Sequence, residues 1–153
     1  MNKIKFTHVW DKLNDPQFTT IRSWNQEKED YYRRCIGQEF QVWKAKEAYP
    51  FRLEYVICHA YLIDTQVVYP KNIPLEVLYK DVTFNGSIER TWIDRIMKNK
   101  TVLLLAFSKQ RKGQQRLPIF AYLSISLMPT HSQSGGIPIS KPPTPVNVEK
   151  YLI

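Results

Sequence analysis

The chain opens on an alternation of apolar and polar residues over 4–10, with Ile4, Phe6 and Trp10 on one loose pattern of period two, which predicts a half-buried strand. After the turn signal Asn14-Asp15-Pro16, Phe18 to Arg22 reads as a second short strand. Phe18, Thr20 and Arg22 then share one face, and Thr19 and Ile21 the other. Between Ser23 and Cys35 charges of both signs crowd around Tyr31 and Tyr32, and no period decides between a loop and a short helix. Gly37 launches a strand over 38–46, in which Phe40 and Val42 alternate with Glu39 and Gln41, and Trp43 and Lys44 fall just past the middle. Residues 51–68 are rich in β-formers. Leu53, Tyr55, Ile57, His59 and Tyr61 fall on one face and Glu54, Val56, Cys58 and Ala60 on the other, which predicts a central strand.

Pro70 and Pro74 mark a turn, and Ile73 to Tyr79 has room for one or two helical turns. Asn85-Gly86 is a further turn signal. The helix after it is predicted over Ser87 to Lys98, with Ser87 as N-cap and Ile88, Trp92, Ile96 and Met97 spaced for one buried stripe. Thr101 to Ser108 reads as a buried strand around a continuous apolar run. A basic loop from Lys109 to Arg116 leads into a last strand, Leu117 to Met128. Beyond it residues 129–153 are rich in Pro, Gly, Ser and Thr, the composition of an extended or disordered tail. The expected fold class is α+β: one domain over 1–128, with one or two short helices packed on mixed strands, followed by the tail.

Composition narrows the class of partner. At 153 residues, 43% apolar and 13% aromatic, the chain is long and apolar enough for one packed core. Lys and Arg outnumber Asp and Glu by 22 to 14, a net charge of +8 that favours polyanions; the competing reading of such a charge is solubility alone. The start Met-Asn-Lys-Ile-Lys-Phe lacks the apolar region of a signal peptide, and the longest apolar run, Val102 to Phe107, is far short of a membrane span. The expectation is a cytoplasmic protein with no membrane role, in which Cys35 and Cys58 are reduced unless the source is a hyperthermophile. His8, His59 and His131 lack ligand spacing, so neither a metal nor a cofactor is expected.

The densest candidate chemistry lies in Asp15-Pro-Gln-Phe-Thr-Thr-Ile-Arg22. Thr20 and Arg22 present a small hydroxyl and a planar, permanently charged fork from one face of a stiff strand, an arrangement suited to a phosphate or a base edge. The alternative is an Arg closing a salt bridge with Glu27 or Asp81. Trp24 and Trp43 suit base stacking, each stack contributing roughly 1–3 kcal/mol, or are core and edge residues; Lys44 adds a cation beside Trp43, whereas Trp10 and Trp92 lie on apolar patterns and read as core. Lys109, Arg111, Lys112 and Arg116 form either a phosphate clamp without sequence choice or a solvated hairpin tip. Asp81 orients Arg22, accepts from a base amino group, or caps a turn. No Ser-His-Asp or Cys-His arrangement and no glycine-rich nucleotide fingerprint is visible, and no catalytic residue is assigned.

The order strand, Thr-x-Arg, glycine-led strand, long strand, Asp with Asn-Gly, helix, buried strand resembles the ASCH domain of the PUA-like superfamily over about residues 3–108. In the signature GxKxxExR, where Thr often replaces Glu, Asp15 stands for the Gly, Gln17 for the Lys, Thr20 at the Glu/Thr position and Arg22 for the Arg. The resemblance implies a small mixed β-barrel that binds RNA or modified bases. One bacterial branch hydrolyses an acetyl amide of a cytidine with a Lys, a Thr and a Glu; these fall on Gln17, Thr20 and about Asn85. Gln and Asn cannot take the roles of base, nucleophile or proton shuttle. The expected function is therefore a nucleic-acid-binding module, for RNA or another single strand ahead of duplex DNA. An amidohydrolase of acylated nucleosides and a protein-interaction module docking through the tail are the alternatives.

Overall fold

A computed structural model describes residues 1–46 and 52–111. Leu117 to Met128, Lys112, Arg116 and the tail lie outside the described residues. The main sheet consists of β1 (Asn2–Phe6), β2 (Gln17–Ser23), β3 (Glu39–Ala45), β4 (Leu53–Val68) and β7 (Val102–Ser108). In space the order is β1-β3-β4-β7-β2, with β1 parallel to β3 and the other neighbours antiparallel. The helices are α1 (Gln26–Arg34), α2 (Leu75–Asp81) and α3 (Arg90–Met97), and a small hairpin, β5 (Thr83–Phe84) and β6 (Ser87–Ile88), joins the last two. The class is α+β.

The key to the layering is β7. All of its residues are buried, so neither face can be left to water. Leu103, Leu105 and Phe107 enter one cluster with Phe18, Phe40, Val42, Ala60 and Leu62; Val102, Leu104 and Ala106 enter another with Val68, Ile73 and Leu78. The period of two thus divides one apolar run between two cores. Ile93 and Ile96 of α3 pack against both.

The long central strand is β4, as expected, but its alternation does not run through. A register shift between Leu62 and Asp64 marks a bulge, which resets the phase. On the near side Ala60 and Leu62 point to the core while His59 is exposed; on the far side Thr65 and Val68 are buried. The strand predicted over 4–10 is shorter, because the chain leaves the sheet after Phe6. That departure stacks His8 on Trp10 at 4.8 Å and brings Trp10 within 5.5 Å of Trp92, ring centre to ring centre.

Residues 23–35 resolve as helix α1. The Asn25 side chain accepts from the Lys28 N–H at 2.7 Å, Glu27 and Glu29 occupy the first turn, and Arg33 and Arg34 the last. None of its residues is fully buried, which is why no apolar period announced it. The predicted helix over 87–98 starts later, at Arg90. Asn85 and Gly86 take φ of 52° and 81°, the left-handed pair of a tight hairpin turn, and draw Ser87 and Ile88 into a strand instead of a cap. The Asp11 carboxylate accepts the N–H of both turn residues at 2.8 Å. The half-buried stripe of α3 is accordingly Trp92, Ile93 and Ile96, with Ile88 and Met97 exposed. Both cysteines are free thiols. Among the described residues no helix is long and apolar enough to cross a membrane.

Because Leu105 is fully buried in a strand that both cores share, Leu105→Ala is expected to lower unfolding free energy by about 2–5 kcal/mol. Ile88→Ala, on the exposed hairpin, should cost well under half as much. Urea unfolding of the two variants measures both.

Candidate functional site

Among the described residues the edges of the five-stranded sheet are β1 and β2. In a flat sheet they would lie four strand spacings apart, roughly 19 Å. Instead Arg22 of β2 donates from Nη2 to the Lys5 carbonyl of β1 at 2.9 Å, so the sheet is curled until its edges face each other. Between them is a cavity of about 300 Å³. Its buried walls include Phe6, Trp10, Lys12, Thr20, Asp81 and Val102, while Lys5, Ser23, Arg95 and Asn99 are exposed at its rim.

Three elements place the buried polar groups. Lys12 sits in a short 3-10 turn, Asp11–Asn14, that leads into β2; Asp81 is the last residue of α2; Thr19 lies on β2. Thr19 donates its hydroxyl to Asp81 Oδ1 at 2.5 Å, and Lys12 Nζ lies 3.5 Å from the same oxygen. Asp81 Oδ2 and Arg22 Nε are buried with no hydrogen-bond partner among the described residues. The Phe6 ring lies under both cations, 4.7 Å from the Arg22 guanidinium and 5.5 Å from Lys12 Nζ.

Burial sets the protonation of this cluster. Desolvation lowers Lys12 to about 8, against the pull of Asp81 and with a smaller push from Arg22. Desolvation also raises Asp81 to about 6, opposed by Lys12, the Thr19 hydrogen bond and Arg22. Burial lowers Arg22 as well, yet a guanidinium keeps its charge in any protein. The cavity therefore holds an amine and a carboxylate that both titrate near neutrality, beside a fixed cation. Perturbed pairs of this kind in a cleft are candidate functional groups.

Of the residues singled out in the sequence, the structure brings Thr20, Arg22 and Asp81 to the cavity. Arg22 closes onto a backbone carbonyl rather than onto Glu27 or Asp81. Trp24 is exposed next to the rim residue Ser23, its indole N–H bonded to Glu29 Oε1 at 2.8 Å, but it is not part of the wall. Trp43 and Lys44 lie away from the cavity on β3: Trp43 donates to Gln41, and Lys44 pairs with Glu54 at 3.3 Å. Lys109 is a fastener of the fold, donating to the Leu13 carbonyl from Nζ and to the Pro16 carbonyl from its backbone. Arg111 is exposed and outside the wall, and the rest of the basic loop lies beyond the described residues.

In the sequence no motif marks Lys12, Lys5 or Arg95 for a site, and Trp10 and Trp92 read as core alone. Both tryptophans belong to the core and also wall the cavity. Lys12 carried one usable signal, a cation between Trp10 and Leu13 where an apolar residue would be expected. Gln17 and Asn85, the counterparts of the amidohydrolase Lys and Glu in the resemblance, do not line the cavity. Among the described residues no three His, Cys, Asp or Glu side chains converge as a metal site. Compared with family models, curated proteins and solved structures, the chain matches none.

Breaking the buried pair from one side strands a charge. Lys12→Met or Asp81→Leu alone should destabilise by about 3–5 kcal/mol, whereas the double replacement should cost much less. The pH dependence follows from the two directions. Asp81 binds its proton more tightly when folded, so its contribution falls as pH rises from 3.8 to about 6; Lys12 binds its proton less tightly when folded, so its contribution recovers between about 8 and 10.5. The stability difference between the wild type and the double variant should thus be least favourable to the wild type between about pH 6 and pH 8. Urea titrations of both proteins across that range provide the check.

Proposed function

We propose that this chain binds single-stranded nucleic acid, with one nucleotide lodged in the cavity between β1 and β2. The observation that carries the reading is the makeup of the cavity. Among the described residues that line it, Lys5, Lys12, Arg22 and Arg95 outnumber the single acid Asp81, and Phe6, Trp10 and Trp92 supply aromatic surface. Excess positive charge beside aromatic rings suits a phosphorylated heterocycle: the cations meet the phosphate and the rings meet the base. A cavity of about 300 Å³ is at the small end of ligand sites, in keeping with one nucleotide unit rather than a duplex groove. The net charge of +8 supplies the long-range attraction. In this reading the curled sheet is a small open barrel of the PUA-like kind, its seam between β1 and β2 serving as the cleft.

A second reading draws on a specific observation. The amine of Lys12 and the carboxyl group of Asp81 line the same cavity as Thr20, the group types that the hydrolytic branch of the resembled family uses, though the amine and the carboxyl come from other positions in the chain. Turnover of an N-acylated nucleoside that disappears in Thr20→Ala would establish hydrolysis as the activity.

The binding reading is tested by fluorescence anisotropy with a short RNA, the same sequence as single-stranded DNA, and its duplex, each at two salt concentrations. Single strands should bind more tightly than duplex, and affinity should fall as salt rises. Arg95→Ala, on the exposed rim, should weaken binding several-fold and flatten the salt dependence by about 0.7 in the logarithmic slope, the share of one single-strand phosphate contact. Absence of binding at low salt, or equal binding of duplex, would overturn the reading.

A further inference from the structure

The two strand edges that border the cavity differ in charge. On the β2 side Ser23 is followed by the exposed Trp24, whose indole N–H is already bonded to Glu29, and by the first turn of α1 with Glu27 and Glu29. Phosphates leaving the cavity there would meet carboxylates. On the β1 side the rim residue is Lys5, and although Trp43 of β3 is off the cavity wall, the register sets it directly beside Lys5. Ile4, Phe6, Phe40 and Val42 are buried in the cluster of Leu103, Leu105 and Phe107, so the alternate residues Lys3, Lys5, Gln41 and Trp43 share the outer face of the sheet. His59 and Tyr61 of β4, paired with Gln41 and Glu39, continue that face. Lys3, Lys5 and His59 are exposed, and Gln41, Trp43 and Tyr61 are half-buried. Among these described residues two lysines stand against one acid, Glu39, and the exposed cations Lys46 and Arg52 follow where β3 and β4 run out, joined by a backbone hydrogen bond of 2.8 Å.

Trp43 is held ready for stacking. Its N–H donates to Gln41 Oε1 at 3.0 Å, which fixes the indole on the strand, and Lys3 Nζ lies 5.7 Å from the ring centre. That ammonium sits on an exposed, flexible stem, and its contact with an indole at the surface is weaker than the stack of a base on the same ring. An arriving base therefore displaces it and leaves it beside the phosphate that the base brings.

Resting on the reading of the cavity as a nucleotide site, we infer that the bound strand leaves it over β1, with the neighbouring base stacked on Trp43 and its phosphates beside Lys5 and Lys3. Lys5 and Trp43 are one strand spacing apart, roughly 4.8 Å, which a single further nucleotide covers. Cavity and outer face thus form one track: the cavity takes one unit and the face takes the next. A base in a duplex has both of its faces covered by its neighbours, so the Trp43 platform admits single strands only, and it does so without sequence choice because every base has a face to stack.

Hexauridylate labelled at one end, with unlabelled uridine monophosphate as its competitor, tests the track on the full chain. Trp43→Ala should weaken the hexamer about tenfold and leave the inhibition constant of the mononucleotide unchanged, which also shows that the variant is folded. Trp43→Phe, which keeps a smaller aromatic ring, should recover most of the loss, and Trp24→Ala should bind the hexamer as the unaltered chain does. Hexamer binding indifferent to Trp43→Ala would overturn the path over β1 and leave the cavity reading standing. A loss confined to Trp24→Ala would send the strand over α1 and overturn it equally. Equal weakening of hexamer and mononucleotide by Trp43→Ala would make Trp43 a support of the fold, and the inference would fall. If the hexamer does not bind the unaltered chain at low salt, or the mononucleotide does not compete for it, the reading of the cavity fails and the inference with it.

Discussion

A strand with no polar face has to be covered twice, and β7 imposes that condition on the whole domain. Its alternate side chains feed two separate cores, so the sheet cannot present one side to water as an ordinary antiparallel sheet does. One face is served by α2 with the chain around Ile73. The other is filled largely from the sheet itself, with Phe18, Phe40, Val42 and Leu62 converging on Leu103, Leu105 and Phe107. A sheet that fills its own concave face must curl, and curling carries β1 and β2 toward each other. The cleft between them is therefore a consequence of how the core is packed, not an addition to it.

Within that cleft the buried Lys12–Asp81 pair runs against the economy of the rest. Desolvating two ions costs several kcal/mol each, and their attraction recovers that only with good geometry and further hydrogen bonds. Here the geometry is incomplete: the contact is 3.5 Å long, and one carboxylate oxygen is bare. Apolar residues of similar size would hold the 3-10 turn against α2 at lower cost. An arrangement that is poor for stability and sits in a cleft is the kind that collects at functional sites, and the proposed reading of the cavity draws on that.

How much of this the sequence disclosed depends on the range over which each signal acts. Strands β2, β3, β4 and β7 and helix α2 follow from local periodicity and turn residues, and Thr20 with Arg22 follow from period two on a short strand. Helix α1 was illegible because it buries no residue fully and so has no apolar stripe. The late start of α3 follows from the competing demand of Asn85-Gly86 for a hairpin, where the Asp11 carboxylate fastens both turn amides. Asp81 was among the candidates, but its pairing with Lys12 was beyond reach for a different reason. Their partnership crosses most of the domain and depends on where α2 ends relative to β2, a tertiary fact with no local trace. Conversely Lys109, which in the sequence belongs to a basic loop read either as a phosphate clamp or as a solvated hairpin tip, is held by two backbone carbonyls of the segment before β2.

The run Thr19-Thr20-Ile21-Arg22 shows how a strand at an edge differs from one inside a sheet. Thr19 donates to Asp81, Ile21 packs against the second cluster and also lines the cleft, and Thr20 and Arg22 line the cleft beside it. An interior strand could not use all four in this way, because neighbours would occupy both flanks. At the edge, Asp81 and Lys12 reach β2 from the side, and Arg22 reaches across the open seam to β1. One guanidinium thereby joins the two sheet edges and contributes to the wall between them. That double duty explains why an Arg suits the position better than a Lys. A planar fork with several donors can bond the Lys5 carbonyl and still hold another nitrogen in reserve, whereas an ammonium would present one compact charge to both demands.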